Sequence, residues 1–191
     1  MNNDLLVLGL TGPNAAGKGE VCKYLLGKGF HVISLSDILR EIAKKKRIGH
    51  TRENLIKLGN ELRKRYGSGF LAKQACRKIK KDKYKKVIID SIRNVGEIKE
   101  LKKNFKNRFF LIYITAPKKL RFKFLLKRSR EGDPKTYKEF LDMEKKEHSN
   151  KSTHQQLHKC KELRDFTINN NSTLNSLYRK IDKLLLQIEK Q

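Results

Sequence analysis

Gly12-Pro13-Asn14-Ala15-Ala16-Gly17-Lys18 sets two glycines around a four-residue turn and follows them with a lysine. The order G-x-x-x-x-G-K belongs to a loop that cradles phosphate. Glycine lets the backbone curl so that successive N–H groups face one anion. A helix placed next adds its positive dipole end and its unpaired N–H donors. Lys18 contributes a full charge that can reach outer phosphates. Such a loop needs a buried strand before it and a helix after it. Leu5-Leu6-Val7-Leu8-Gly9-Leu10 reads as the strand, and Glu20-Val21-Cys22-Lys23-Tyr24-Leu25-Leu26 as the helix. A chance glycine turn does not account for that context. Gly12, Asn14, Ala15, Ala16, Gly17, Lys18, Gly19 and Glu20 are therefore expected to hold nucleotide.

The loop departs from the commonest form at its end. Gly19 and Glu20 stand where a Ser or Thr hydroxyl usually helps to hold magnesium. Glu20 can supply an oxygen through water, since magnesium takes hard oxygen ligands. It can equally be a first-turn acid that suits the helix dipole, and that second reading is slightly favoured.

A second carboxylate stands at the end of an apolar run, Lys86-Val87-Ile88-Ile89-Asp90. At the C-terminal tip of a central strand beside a phosphate loop, Asp90 is placed to attend a metal ion. The plainer alternative is a strand-end Asp that caps the next helix. Arg40 and Arg93 fall just past the ends of the second and third strands. A guanidinium fork matches phosphate better than an ammonium does, although one such arginine alone is more often a solvated charge.

The elements that must position these groups alternate. Short β-type runs at Leu5–Leu10, His31–Ser34, Lys86–Asp90, Phe109–Ile114 and Phe166–Ile168 are separated by helical patterns. The helices are expected over about 17–27, 37–46, 52–66, 70–80, 94–103, 117–129, 136–147 and 173–190. Asp37, Thr51 and Ser172 sit where N-caps belong, and Pro117 and Pro134 at first turns or loop exits. The polar stretch from His148 to Lys161 reads either as irregular chain or as a continuing helix. This order predicts an α/β fold: a three-layer α/β/α arrangement with a parallel five-stranded sheet and a short lid.

A chain of 191 residues suits one such domain. No repeat or linker divides it. Three scattered cysteines, Cys22, Cys76 and Cys160, fit a reducing compartment. With no signal-like leader and no spanning apolar run, a cytoplasmic protein without membrane contact is expected. The net charge of +26 is spread over nearly every helix. It predicts sequence-independent affinity for nucleic acid as a side property. His148, His154, His158 and Cys160 raise a zinc reading, with His154 and His158 on one helix face. Without a C-x2-C pair, solvated histidines are preferred.

Several segments resemble the adenylate kinase family. Ser36-Asp37-Ile38-Leu39-Arg40 is similar to the family's Ser-Thr-Gly-Asp-Met-Leu-Arg segment, and Asp90-Ser91-Ile92-Arg93 to its Asp-Gly-Phe-Pro-Arg segment. The resemblance implies that Ser36, Asp37, Arg40 and Arg93 bind the acceptor while Asp90 attends Mg2+. The block that opens at Arg121 and runs on to Arg128-Ser129-Arg130-Glu131-Gly132-Asp133-Pro134 resembles an arginine-bearing lid, which implies that Arg128 and Arg130 neutralise the transferring phosphoryl. Asn170, after the last strand, lies where relatives pack a loop on the nucleotide base. Further runs, such as Leu58-Gly59-Asn60-Glu61-Leu62-Arg63, resemble small adenylate kinase-related P-loop proteins. They also resemble the kinase-like half of antiphage deoxycytidylate deaminases.

The resemblance thus implies one P-loop kinase domain over 1–191, with an acceptor-binding helical region at about 36–80 and a lid at about 128–148. ATP and Mg2+ would serve a phosphotransferase whose acceptor carries phosphate, first of all a nucleoside or deoxynucleoside monophosphate. Lys18, Asp90, Arg128 and Arg130 are the candidate catalytic groups. A hydroxyl kinase of the dephospho-coenzyme A kinase kind is the alternative, and there Asp37 is the candidate base. A nucleotide-sensing or nucleic-acid-associated P-loop protein with little turnover is the other.

Overall fold

The computed structural model describes residues 5–129 and 132–190, with the side chain of Lys146 left aside. Five strands form one parallel sheet in the order β2-β3-β1-β4-β5. They are β1 (Leu6–Thr11), β2 (His31–Ser34), β3 (Lys86–Ile92), β4 (Phe109–Thr115) and β5 (Phe166–Asn169). The helices are α1 (Lys18–Leu26), α2 (Leu35–Lys45), α3 (Arg52–Tyr66), α4 (Phe70–Asp82), α5 (Val95–Phe105), α6 (Lys118–Arg128), α7 (Tyr137–Lys146), α8 (Leu157–Glu162) and α9 (Leu174–Ile188).

Strand alternation sends apolar side chains to both faces, as a covered parallel sheet requires. Val7, Ile33, Val87, Ile89 and Leu111 face α2, α4 and α5, where Leu71, Cys76, Ile98 and Leu101 meet them. Leu8, Leu10, Ile88, Ile112 and Ile168 face α1 and α9 through Val21, Leu25, Leu177 and Ile181. The three cysteines are free and buried. Burial pushes each thiol up to about 12, so none is a ready nucleophile. No helix among the described residues is long and apolar enough to cross a membrane.

The strand order puts β1 at the switch point. The chain leaves β1 toward β2 and β3 on one side, then returns past it to β4 and β5 on the other. In open α/β sheets the crevice at the carboxyl ends of such strands receives ligands. The phosphate loop, the β3–α5 turn and the chain after β5 all leave the sheet at that edge.

Two expected caps move by short steps. The α2 cap is Ser34, whose side chain accepts from the Asp37 N–H, so Asp37 lies in the first turn instead. The α9 cap is Thr173, accepting from the Ser176 N–H, rather than Ser172. Thr51 caps α3 as expected. Asp90 does not end its strand. The β1–β3 register slips by one residue between Gly9 and Thr11, and β3 runs on to Ile92 through a bulge with Ser91 at φ 65°. The Thr11 hydroxyl donates to the Ile92 carbonyl at 2.8 Å and secures the continued strand. His148 to Lys161 is partly irregular chain and partly the short α8. His154 precedes that helix, so it shares no helix face with His158.

Helix α3 reaches the core only indirectly. Leu58 and Leu62 pack with Ala43 of α2 in a small cluster of their own. Leu62→Ala should cost about 2–5 kcal/mol, the usual range for emptying a buried leucine site. Urea unfolding measures it, and a loss under about 1 kcal/mol would show that something else holds α3.

Candidate active site

The phosphate loop depends on two glycines that no other residue could replace. Gly12 has φ 130°, and a Cβ there would lie 2.0 Å from the Ile114 carbonyl oxygen on β4. Gly17 has φ 101°, and its Cβ would lie 2.3 Å from Nδ2 of Asn170. Gly17 is also the N-cap of α1 and has no side chain to occupy the first-turn N–H groups. The Glu20 N–H returns to the Gly17 carbonyl at 3.0 Å, which leaves the Lys18 and Gly19 N–H groups for an anion. Asn170 is buried; its Nδ2 donates to the Ala16 carbonyl at 3.1 Å and its N–H to the Thr115 carbonyl at 2.7 Å. Its side chain therefore braces the phosphate loop. Asn14 accepts from the Ala15 N–H at 3.0 Å and so shapes the loop crest, where Ala15 has φ 58°.

Lys18 folds back over the loop. Its Nζ donates to the Gly12 and Pro13 carbonyls, each at 2.8 Å. Burial lowers its pKa to about 8, and the nearby Arg93 charge adds to the fall; Asp90 and Glu147 oppose it, and Arg121 contributes slightly. These five groups thus share one electrostatic neighbourhood. Glu20 instead pairs with Lys23 at 3.2 Å on the helix surface, which suits a first-turn acid.

Asp90 has one oxygen engaged and one idle. Oδ2 accepts from the Ser91 hydroxyl at 2.9 Å, while Oδ1 is buried with no hydrogen-bond partner among the described residues. An idle buried carboxylate oxygen beside a phosphate loop fits a magnesium ligand. The Ser91 hydroxyl also lies 3.4 Å from the Ser36 hydroxyl; Ser36 contacts Ser34 at 2.8 Å and accepts from Arg40 at 3.1 Å. Ser36 is thereby linked to the bulge beside Asp90. Arg40 is exposed and pairs with Asp37 at 2.6 Å. Such an exposed pair is worth under about 1 kcal/mol, so it yields readily to a ligand. The same contact ties Asp37 to a cation.

Arg93 faces inward. Its Nη1 donates to Glu147 Oε1 at 2.6 Å and to Gln155 Oε1 at 3.0 Å. Arg52, at the start of α3, donates from Nη2 to the same Glu147 oxygen at 2.8 Å. Two guanidinium groups from distant elements thus close on one anionic oxygen. Burial alone would raise the Glu147 carboxyl, but Arg93 and Arg52 outweigh it and hold it below the usual range. Burial also makes Arg52 less basic than usual; Glu147 counters this, while Arg93 and Arg128 repel it.

The turn carrying Arg93 is itself pinned. Glu97 accepts from the Arg93 and Asn94 N–H groups at 2.8 and 3.1 Å and pairs with buried Arg63 at 3.1 Å. Asn94 donates to the Ser152 and His154 carbonyls at 2.6 and 2.7 Å. On the other side, Arg121 holds Glu144 with both arms, at 2.6 and 2.7 Å, and also donates to the Ala116 carbonyl at 3.0 Å and the Asn14 carbonyl at 3.3 Å. The α6–α7 region is thereby tied to the phosphate loop. Arg128 pairs with Asp133, with Nε to Oδ2 at 2.9 Å. Arg130 lies outside the described residues. His148 and His158 stack with ring centres 5.7 Å apart. Among the described residues no three His, Cys, Asp or Glu side chains gather as a metal cluster.

Of the expected groups, Lys18, Asp90 and Arg93 come together, while Arg40 pairs with Asp37 and reaches the Asp90 bulge only through Ser36. Arg52, Glu147 and Glu144 escaped the reading of the sequence as site residues, while Arg121 was read only as the start of the lid block.

A family model described as an AAA domain, AAA_17, matches residues 11–142. A UPF0200 protein of Pyrococcus horikoshii is 36% identical over 186 residues, covering 96% of this chain and 97% of the relative. Another, from Sulfurisphaera tokodaii, is 33% identical over 182 residues, covering 95% and 97%. The chain belongs to both families. Solved structures similar to this UPF0200 chain include TT1252 from Thermus thermophilus, with TM-score 0.61 and 16% identity over 97% of this chain and 98% of that one. A shikimate kinase from Acinetobacter baumannii, in complex with shikimate, gives 0.53 and 18% over 96% and 94%. The fold is that of the P-loop kinases.

Lys18 generates a pH prediction. Burial holds its pKa at about 8, well below an ordinary lysine, so the free protein should carry Lys18 half-deprotonated near that pH. Phosphate favours the charged form, so nucleotide binding above that pH should take up a proton and weaken as pH rises. At pH 8.5, calorimetry of ATP binding in buffers of different ionisation enthalpy should report uptake of between about half and one proton. Lys18→Arg, which does not titrate there, should abolish the uptake. Equal uptake by both proteins would show that another group titrates.

Proposed function

We propose that this chain is an ATP-dependent phosphotransferase whose acceptor is a small phosphate-bearing molecule, first of all a nucleoside or deoxynucleoside monophosphate. The observation that carries this reading is the Arg52–Arg93 pair closing on an anionic oxygen, with Arg93 in the electrostatic neighbourhood of Lys18. Phosphoryl transfer needs two anions held close together within a cationic frame, and little covalent chemistry.

The loop amides and Lys18 would hold the donor phosphates. The acceptor phosphate would enter between Arg52 and Arg93, with Arg40 and Ser36 reaching it once Asp37 is released. An acceptor phosphate oxygen then forms the new bond to the γ-phosphorus, while the bond to the β–γ bridging oxygen breaks and ADP leaves with that electron pair. An ionised phosphate acceptor requires no base. Asp90 is the residue fitted to hold Mg2+, which when bound neutralises charge on the donor phosphates. Arg128 would add positive charge once Asp133 lets it go. The wide basic surface would attract anionic ligands in general, an effect that salt suppresses.

A panel of ribo- and deoxyribonucleoside monophosphates, dephospho-coenzyme A and shikimate, each with ATP and Mg2+, tests the assignment. Diphosphate should form from at least one monophosphate. Lys18→Ala should abolish it, and Arg93→Ala should lower kcat/KM for the acceptor at least about a hundredfold, as expected for an interaction with a charged group left unpaired. Turnover of a hydroxyl acceptor alone, lost in Asp37→Asn, would replace this reading with a hydroxyl kinase. Tight ATP binding without turnover of any acceptor would replace it with a nucleotide sensor.

A further inference from the structure

The buried carboxylate of Glu147 differs from the other buried acids around it. Glu144 uses both oxygens on the two arms of Arg121, and Glu97 uses both on Arg63 and on two backbone N–H groups. Those two acids are fully engaged, as permanent parts of a fold are. Glu147 receives both of its guanidinium contacts on Oε1. Its Oε2 is buried with no hydrogen-bond partner among the described residues. One oxygen is crowded and the other idle, at a residue only 2% exposed. A tetrahedral phosphate has more oxygens to offer and would meet both guanidinium groups in the paired geometry they favour.

The location of Glu147 adds a second argument. It caps the C-terminal end of α7, immediately before the chain bends toward Ser149–Gln155. Gln155 contacts Arg93 from that same bend, and the Gln156 N–H donates to the Arg93 carbonyl at 2.7 Å. The acid thus arrives from the C-terminal end of α7, whereas the guanidinium groups belong to α3 and the β3–α5 turn. Its backbone is held in place, since the Glu147 carbonyl accepts from the Leu157 N–H at 3.3 Å, so a change of its side-chain rotamer is the simplest way to withdraw it from between the arginines.

We propose that Glu147 is an internal stand-in for the acceptor's anionic group: it occupies the Arg52–Arg93 grip in the empty protein, and the acceptor must displace it. The inference rests on reading that grip as the acceptor site and adds to it a rule of selection. A neutral acceptor leaves Glu147 in place, and a carboxylate gains nothing over the one already there. A phosphomonoester dianion brings more charge and more oxygens, so it can win the exchange. Glu147 therefore sets the acceptor class and keeps two half-buried guanidinium groups from facing each other without an anion.

The test uses the full chain, with the loop saturated by a non-hydrolysable ATP analogue and magnesium so that only the second anion site remains. Inorganic phosphate and acetate are then titrated by calorimetry. In the native protein phosphate should bind and acetate should not. Glu147→Gln should bind phosphate at least about tenfold more tightly, the scale of one charge-assisted hydrogen bond no longer contested. It should also begin to bind acetate, and the further change Arg52→Ala should remove both gains. Phosphate affinity in Glu147→Gln equal to or below that of the native protein would overturn the proposal.

Should the variant be poorly folded, the native protein supplies a second measurement. Arginine Nε–H resonances of Arg52 and Arg93 should shift on adding phosphate, together with the Glu147 side-chain carboxyl carbon, while those of Arg63 and Arg121 stay still. Movement of the arginines with Glu147 unchanged would overturn displacement. The outcome is separate from the acceptor panel: exchange of Glu147 for phosphate without turnover of any monophosphate would refute the kinase assignment and leave this inference standing.

Discussion

Half-buried positive charge at the carboxyl edge of the sheet is the constraint around which this molecule is built. Lys18, Arg52 and Arg93 crowd one cleft, and Asp90 and Glu147 are the acids that share it. Like charges at such range repel strongly where water is partly excluded. The fold accommodates them by assigning each cation a counterpart: loop carbonyls for Lys18 and one carboxylate oxygen for the two arginines. The remaining surplus is the driving force for taking up anions.

Rigid ties surround that adjustable centre. Arg121 links β4's exit, the phosphate loop and α7 through Ala116, Asn14 and Glu144. Glu97 fixes the turn bearing Arg93 and binds it to α3 through Arg63. Asn170 presses against Gly17 from behind. These side chains have their hydrogen-bonding capacity directed at backbone or at both arms of a partner, so they resist rearrangement. Glu147, Arg40 and Asp37 are held less completely, and they lie where ligands would have to enter. The difference in engagement separates scaffold from moving parts.

The sequence was informative where the chemistry is local. The loop from Gly12 to Lys18 and the five strands follow from spacing over a few residues, and the sheet was legible because both of its faces are apolar. Arg93 was legible because it follows a strand end. Arg52 and Glu147 were not, since 95 positions separate them and one more basic side chain does not stand out in a chain of net charge +26. The Asp90 region misled for a related reason: the run of β-branched residues marks the strand, but only pairing with β1 reveals the bulge at Ser91. Caps at Ser34 and Thr173 were displaced because several hydroxyl and carboxylate residues crowd each helix start, and backbone geometry alone selects among them.

The most direct trial is a crystal structure with a dinucleoside polyphosphate that bridges donor and acceptor sites. The account predicts one end of its phosphate chain on the loop amides and Lys18, the other between Arg52 and Arg93, and the Glu147 carboxylate withdrawn from both arginines. A complex in which Arg52, Glu147 and Arg93 remain joined while the second end of the ligand rests elsewhere would contradict it.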